Sequence, residues 1–202
     1  MVTTLPETMQ ASRITPLHIA ARKGNNSMVT SLLENGANPN VAIFDGNTPL
    51  LFAAQMGHGK VVDSLLACTA DPNFANENGV TPLTIATENG HVAVVDSLLE
   101  AGADTNMRTR EGATLLILAA SHGHAMVVDS LVEAGEDTNL ATTKGTTPLM
   151  GASKNGHALV VQVKPRIHFE VHLTPRMPLM PVSLNRDSPM PLCVPPSTKK
   201  HV

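Results

Sequence analysis

The chain has 202 residues, enough for one or two ordinary domains, and 42% of them are hydrophobic, as in most folded proteins. Trp and Tyr are absent and Phe occurs four times, so the core must be aliphatic. The net charge is −3, divided into −7 for residues 1–163 and +4 for residues 164–202. An acidic body argues against a general affinity for nucleic acid, whose phosphates require Lys and Arg.

Residues 1–11 form a short leader in which no basic stretch precedes an apolar run, so no secretory signal is visible. No apolar run in the chain reaches the length of a membrane span. We therefore expect a cytoplasmic protein that has no membrane contact.

From Thr15 onward, a word of seven residues recurs five times at an unchanging interval of 33 residues. A fixed period of this length is typical of a stacked-repeat protein. The copies cover residues 12–163, which we take as one elongated domain. The word reads TPLHIAA from Thr15, TPLLFAA from Thr48, TPLTIAT from Thr81, TLLILAA from Thr114 and TPLMGAS from Thr147.

The third copy, residues 79–111, shows the elements most clearly. Thr81 can cap a helix, and Pro82 suits the first helical position because it gives up no hydrogen bond there. Gly90 ends this helix and Gly102 ends a second one. The second helix is predicted from apolar residues at three- and four-residue spacing, namely Val94, Val95, Leu98 and Leu99.

Four apolar columns recur across the copies and predict a continuous core, because each unit is too small to bury its apolar face alone. The columns are Leu17, Leu50, Leu83, Leu116 and Leu149; Ala20, Ala53, Ala86, Ala119 and Ala152; Val29, Val62, Val95, Val128 and Val161; and Leu32, Leu65, Leu98 and Leu131.

The period, the TPLH word, the Gly-His pairs and the Gly-Ala-Asp-x-Asn run at residues 102–106 resemble the ankyrin repeat family. The resemblance implies an all-α solenoid of four full repeats and a truncated fifth, each with two antiparallel helices and a hairpin finger. It also implies a non-catalytic module, without cofactor, that binds a protein partner through the finger tips and the concave face of the first helices. Two departures are Leu115, in place of the helix-opening Pro, and Thr69, in place of a helix-ending Gly.

His58, His91, His124 and His157 also recur every 33 residues. Metal binding by this column is a poor alternative, because neighbouring copies lie about 10 Å apart whereas zinc holds its ligands at about 2 Å. The resemblance implies instead that each ring bonds to nearby backbone. No catalytic triad is indicated at the repeated serines, since no histidine is fixed beside them as a base.

The candidate binding residues are those that vary while their neighbours repeat. By resemblance, they lie on the fingers or on the pair that precedes the mid-repeat glycine. A binding surface is the favoured interpretation, and unconstrained surface variation is the alternative. The residues are Phe44, Asp45, Asn47, Gln55 and Met56 in the second copy; Glu77, Asn78, Val80, Glu88 and Asn89 in the third; Arg108, Arg110, Glu111, Ser121 and His122 in the fourth; and Lys144, Thr146, Lys154 and Asn155 in the fifth.

The repeat pattern stops at Lys164 and Pro165, where a second helix would otherwise continue. Residues 164–202 hold eight of the 15 prolines and none of the 14 glycines. We expect a largely disordered tail with one short strand at residues 167–173, which either covers the open end of the array or is unrelated sequence.

We therefore expect a monomeric adaptor or scaffold that binds a protein partner of unknown identity. The alternative is a targeting arm or fragment of a larger multidomain protein or of a secreted effector, which would act in a host's cytoplasm. Enzymatic activity in this chain is the least favoured hypothesis.

Overall fold

The computed structural model describes residues 14–109 and 111–161. Nine helices are complete in those ranges, and residues 158–161 begin a further helical segment. The helices are α1 (Pro16–Arg22), α2 (Asn26–Glu34), α3 (Pro49–Met56), α4 (Gly59–Ala67), α5 (Pro82–Asn89), α6 (Val92–Glu100), α7 (Leu115–His122), α8 (Ala125–Glu133) and α9 (Pro148–Lys154).

The helices form two layers. The odd-numbered helices α1 to α9 pack side by side in one layer, and α2, α4, α6 and α8 pack side by side in the other. One continuous cluster of Leu, Val and Ala lies between the layers. None of the helices in the described ranges is long and apolar enough to cross a membrane.

The threonine that opens each repeated word caps an odd-numbered helix. In α3, α5, α7 and α9 its hydroxyl accepts a hydrogen bond from the amide three residues later. In α1, His18 takes part instead, because its Nδ1 accepts from the Thr15 amide and lies 2.8 Å from the Thr15 hydroxyl. Glycines in the left-handed region end α3, α5 and α7, as the sequence predicts.

The column predictions hold at most positions and fail at three positions near the ends of the array. All five alanines are buried, and so are Leu17, Leu50, Leu83 and Leu116. Val161 is wrongly predicted as core, because it is 37% exposed where the described helix runs out, whereas Val160 is buried. Leu32 and Leu149 are only half-buried. The end positions lack a neighbour on one side, so less of their surface is covered.

Each of four loops makes a tight hydrogen-bonded turn, which we call a finger. They are finger 2 (residues 43–47), finger 3 (76–80), finger 4 (109–113) and finger 5 (142–146), numbered for the unit whose helices follow. In each, the first residue's amide bonds to the fifth residue's carbonyl, as in the 3.0 Å bond from Asn76 to Val80. The turn glycine has positive φ in all four fingers.

Three predictions lie outside the described residues: the leader at residues 1–11, the tail from residue 164 with its short strand, and the position of Arg110.

Candidate partner-binding surface

The bases of neighbouring units are joined by a column of histidine bonds. The Nε2 atoms of His58, His91, His124 and His157 lie 3.0–3.1 Å from the carbonyls of Arg22, Gln55, Glu88 and Ser121. Because a carbonyl only accepts, each ring carries its proton on Nε2. The prediction that these rings bond to backbone is confirmed, and each bond joins one unit to the unit before it.

The glycine that precedes each histidine makes room for the next ring. A Cβ at Gly57 would lie 2.7 Å from His91 Nδ1, and a Cβ at Gly90 would collide with His124 in the same way. Both glycines also have positive φ. The Gly-His pairs therefore work across units, with each glycine fitting the histidine of the following pair.

Most of the predicted binding residues reach solvent. Phe44, on finger 2, is 79% exposed and is the most exposed large apolar side chain in the described ranges. Met56, at the end of α3, is 48% exposed. The other exposed members are Asp45, Gln55, Glu77, Asn78, Glu88, Asn89, Arg108, Glu111, His122, Lys144, Lys154 and Asn155.

Several predicted residues are instead held within the array. Asn47 donates to Asp45, accepts from Asn76, and accepts at its carbonyl from His18 Nε2 at 3.2 Å. The Ser121 carbonyl receives the bond from His157 and a second one from Asn155 Nδ2 at 2.7 Å. These groups support the surface through bonds within the array.

Fingers 2 and 3 are in close contact. The Glu77 amide donates to the Asp45 carbonyl at 3.1 Å, and Asn76 Nδ2 donates to Asn47 Oδ1 at 2.9 Å. A Cβ added to Gly46 would lie 2.9 Å from Asn76 Cα, which leaves no space for a side chain there. Fingers 4 and 5 also touch, through a Thr143 hydroxyl that donates to the Glu111 carbonyl at 3.1 Å.

Described residues of units 3 and 4 line a cavity of about 750 Å³, at a junction where residue 110 lies outside the described residues. In the described ranges, no atom lies within 4 Å of a Cβ built on Gly79, the counterpart of Gly46. The cavity is bounded by apolar groups from both units, with Val80 on finger 3 and Leu115 and Leu118 on α7. Glu77, Arg108 and Glu111 supply its charged groups.

The loops that follow the even-numbered helices also differ in the bonds they make to the next unit. Asn40 Oδ1 accepts the Asp71 amide at 2.8 Å, and Asn73 Oδ1 accepts the Asp104 amide at 2.7 Å. The next asparagine in this column, Asn106, bonds to Asp104 of its own loop at 2.9 and 3.0 Å. Among the described residues, no bond of this type joins the loops of units 3 and 4.

Helix α7, which bounds the cavity, begins without the proline of the other odd-numbered helices. Glu136, from the loop after α8, accepts a bond from the Leu116 amide at 3.0 Å and so satisfies one of the free donors of this helix end. Burial raises the pKa of this carboxyl group above its ordinary value of 4.5, while the hydrogen bonds and Arg108 oppose the shift. Sequence reasoning missed Glu136, although it stands in a column otherwise filled by Ala37, Ala70 and Ala103.

Burial also shifts the pKa of His18, in the opposite direction to that of Glu136. Burial lowers the pKa of this imidazole below 6.5, because the charged ring would lose its hydration. No group of three or more His, Cys, Asp or Glu residues within the described part of the chain is arranged to hold a metal ion.

The comparisons with known proteins agree with the architecture. The family model described as ankyrin repeats in three copies matches residues 17–109 and again residues 98–163. No curated protein matches the chain. Ankyrin repeats are generally protein–protein interaction modules. Because the two matches together span well over half of the sequence, the chain belongs to the ankyrin repeat family.

Proposed function

We propose that this protein is a non-catalytic adaptor or scaffold that binds a protein partner through its fingers and the concave face formed by the odd-numbered helices. The observation that carries the proposal is the exposure of Phe44 on finger 2, supported by the exposure of Met56 at the end of α3. Large apolar side chains at the centre of an interface often supply most of its binding free energy.

The polar groups of the same surface also support partner binding. The exposed side chains are acidic at Glu77 and Glu88 and basic at Lys144 and Lys154. A surface whose charge changes along its length can select one orientation of a charged partner. The histidines and glycines that join the bases of the units recur from copy to copy, whereas the candidate residues vary and so distinguish this array from other stacks of the same unit.

The test is affinity capture from the native cell lysate with the intact chain and with the double variant F44A/M56A. Both side chains are exposed, so we expect the unfolding free energy to change by no more than about 0.5 kcal/mol. Capture of the partner should fall at least about tenfold, since truncating an interface anchor costs about 2 kcal/mol or more. Circular dichroism melts check that the variant remains folded.

A matched control is Met126→Ala, which removes an equally flexible apolar side chain, 67% exposed, from α8 in the other helix layer. It should leave capture unchanged. Equal loss from M126A and F44A/M56A, or unfolding of F44A/M56A, would contradict the proposed surface.

A further inference from the structure

His18 joins the first unit to finger 2. Its Nε2 lies 3.2 Å from the Asn47 carbonyl, and because a carbonyl only accepts, the ring donates this bond. The same carbonyl accepts the 3.1 Å bond from the Ile43 amide that closes finger 2. Phe44 lies inside this turn, so the bond from His18 to Asn47 supports the finger that carries the proposed anchor.

The site of His18 fits the neutral ring and opposes the charged one. With its proton on Nε2, the ring uses Nδ1 to accept the Thr15 amide at 3.2 Å. A second proton, on Nδ1, would set one N–H donor against another at that distance. The ring is 1% exposed and lies edge-on to Phe52, with ring centroids 5.9 Å apart, so water does not hydrate the charge. Protonation therefore favours a state in which the ring has left this position and no longer donates to Asn47.

Few charged groups lie near this ring in the described part of the chain. Burial lowers the pKa of His18, while its backbone bonds and Asp45 of finger 2 oppose the shift. Helix α3, which packs against α1, carries no ionisable side chain. Arg22, one turn further along α1, and Glu34, at the end of α2, are exposed, so solvent screens their charges. Loss of hydration is therefore the largest influence on the titration of this ring.

This bond to the next finger is particular to the first unit. The equivalent positions of the other four units hold side chains without a ring N–H. Of these, Thr84 has a hydroxyl, which lies 2.9 Å from the Thr81 hydroxyl of its own unit. Fingers 3, 4 and 5 therefore lack the support that His18 gives to finger 2. The four residues are Leu51, Thr84, Ile117 and Met150.

We propose that the bond from His18 to Asn47 makes partner binding at finger 2 sensitive to pH. Protonation of His18 breaks this bond, so finger 2 loses a support and Phe44 is held less firmly before the partner binds. A less ordered anchor loses more entropy on binding, and the affinity falls. The inference rests on the proposed interaction function and adds the regulation of its site.

The direction of the pH effect follows from the burial of the ring. Because the pKa of His18 is lower in the folded chain than its ordinary value of 6.5, the unfolded or opened state binds the proton more readily. The stability that His18 gives to finger 2 is fully present above pH 6.5 and is lost as the pH falls through the lowered pKa. Partner binding should therefore weaken on acidification.

The experiment measures, by NMR, the hydrogen exchange of the Ile43 amide in the full-length chain without a partner, at about pH 7.5 and about pH 5.5. Protection factors remove the intrinsic pH dependence of exchange. Protection of Ile43 should fall severalfold at the lower pH, with about tenfold as the limit for a group whose ordinary pKa is 6.5. The Thr142 amide makes the equivalent bond to Thr146 in finger 5 and should change less than about twofold. Equal falls at Ile43 and Thr142, or no fall at Ile43, would overturn the inference.

Two variants separate His18 from the other histidines. H18L introduces the residue that unit 2 carries at this position, and H18Q keeps an amide that can donate to Asn47 without titrating. The pH-dependent fall at Ile43 should disappear in both, and circular dichroism melts check that each is folded. R13A should retain the fall, although Arg13 lies outside the described residues and close to Thr15 in sequence. Persistence of the fall in H18L and H18Q, or its loss in R13A, contradicts the role of His18.

Partner capture connects this change to binding and separates it from the proposed function. Capture by the parent chain should weaken between about pH 7.5 and about pH 5.5, and capture by H18Q should weaken less. Equal weakening of the two contradicts the regulation. If Ile43 does not respond to pH while F44A/M56A still abolishes capture, the role of His18 is wrong and the interaction module stands. If Ile43 responds and F44A/M56A leaves capture unaffected, the response of His18 stands and the anchor at Phe44 is wrong.

Discussion

The junction between units 2 and 3 and the junction between units 3 and 4 have the same base and different fingers. At the base, His91 bonds to Gln55 and His124 bonds to Glu88, at 3.1 and 3.0 Å. At the fingers, the first junction carries the bond between Glu77 and Asp45, and a cavity of about 750 Å³ lies at the second, where residue 110 is outside the described residues.

The difference teaches which residues hold the array together and which shape its surface. The repeated histidines and glycines fix the spacing of the helices at both junctions. The finger residues vary from copy to copy, so the contacts between neighbouring fingers can differ from one junction to the next. We therefore expect substitutions at the helix bases to act alike at the two junctions and substitutions at the fingers to act differently.

The largest expected difference is between G46A and G79A. Both glycines have positive φ, 77° and 75°, which costs an alanine about 1–2 kcal/mol. At Gly46 the new methyl group also meets backbone atoms at 2.9 Å, so we expect a total loss of about 3 kcal/mol or more. G79A should lose only the about 1–2 kcal/mol of unfolding free energy that the positive φ costs an alanine. Urea unfolding of the two variants measures the difference, and equal losses would show that finger 3 is as tightly covered as finger 2.

The base comparison predicts similar losses for H91A and H124A. Each removes a ring that donates to a carbonyl of the preceding unit and leaves a space beside a glycine, so we expect about 2 kcal/mol in both cases. Thermal melts of the pair check this. A much smaller loss in H124A would mean that the two junctions also differ at the helix bases, which would contradict the comparison.

A smaller and opposite effect is expected at the end of α4. Thr69 has φ of 64° where Gly36, Gly102 and Gly135 stand in other units, and a β-branched residue is strained in this region. T69G should therefore stabilise the chain by about 1 kcal/mol. G102A is the matched control and should destabilise by a similar amount, because a Cβ at Gly102 meets no atom of the described residues within 4 Å. Denaturant midpoints of both variants decide whether strain is confined to unit 2.

The smallest effect concerns Glu136, whose carboxylate accepts a hydrogen bond from the Leu116 amide at the start of α7. Burial raises the pKa of this carboxyl group above 4.5, so the folded chain holds its proton more tightly than the unfolded chain. Its contribution to stability is present below pH 4.5 and is lost as the pH rises through the raised pKa. E136Q keeps an oxygen for the Leu116 amide and removes this loss. The melting temperature of E136Q should rise relative to that of the parent chain as the pH increases. If the melting temperatures of the two chains change with pH in parallel, the buried role of Glu136 is contradicted.

The sequence predicts the parts of this molecule that depend on short-range chemistry. Thr48, Thr81 and Thr114 cap their helices, and Gly57, Gly90 and Gly123 end them, as their positions in each copy indicate. The cavity could not be predicted in this way, because it depends on the distance between two fingers 33 residues apart. Leu115 and Glu136 depart from their columns in the sequence, but only the structure shows that Glu136 bonds to the Leu116 amide at the start of α7.

The most direct test of the central claim is photo-crosslinking from two exposed positions of the full-length chain in native lysate. A benzophenone side chain at Asn78, on finger 3 beside the cavity, reports on the proposed surface, and one at Glu100, at the end of α6, reports on the other helix layer. We predict that Asn78 forms a discrete protein adduct that is suppressed by F44A/M56A, whereas Glu100 forms none. An adduct of equal yield from Glu100, or an adduct from Asn78 that is unaffected by F44A/M56A, would contradict the proposed surface.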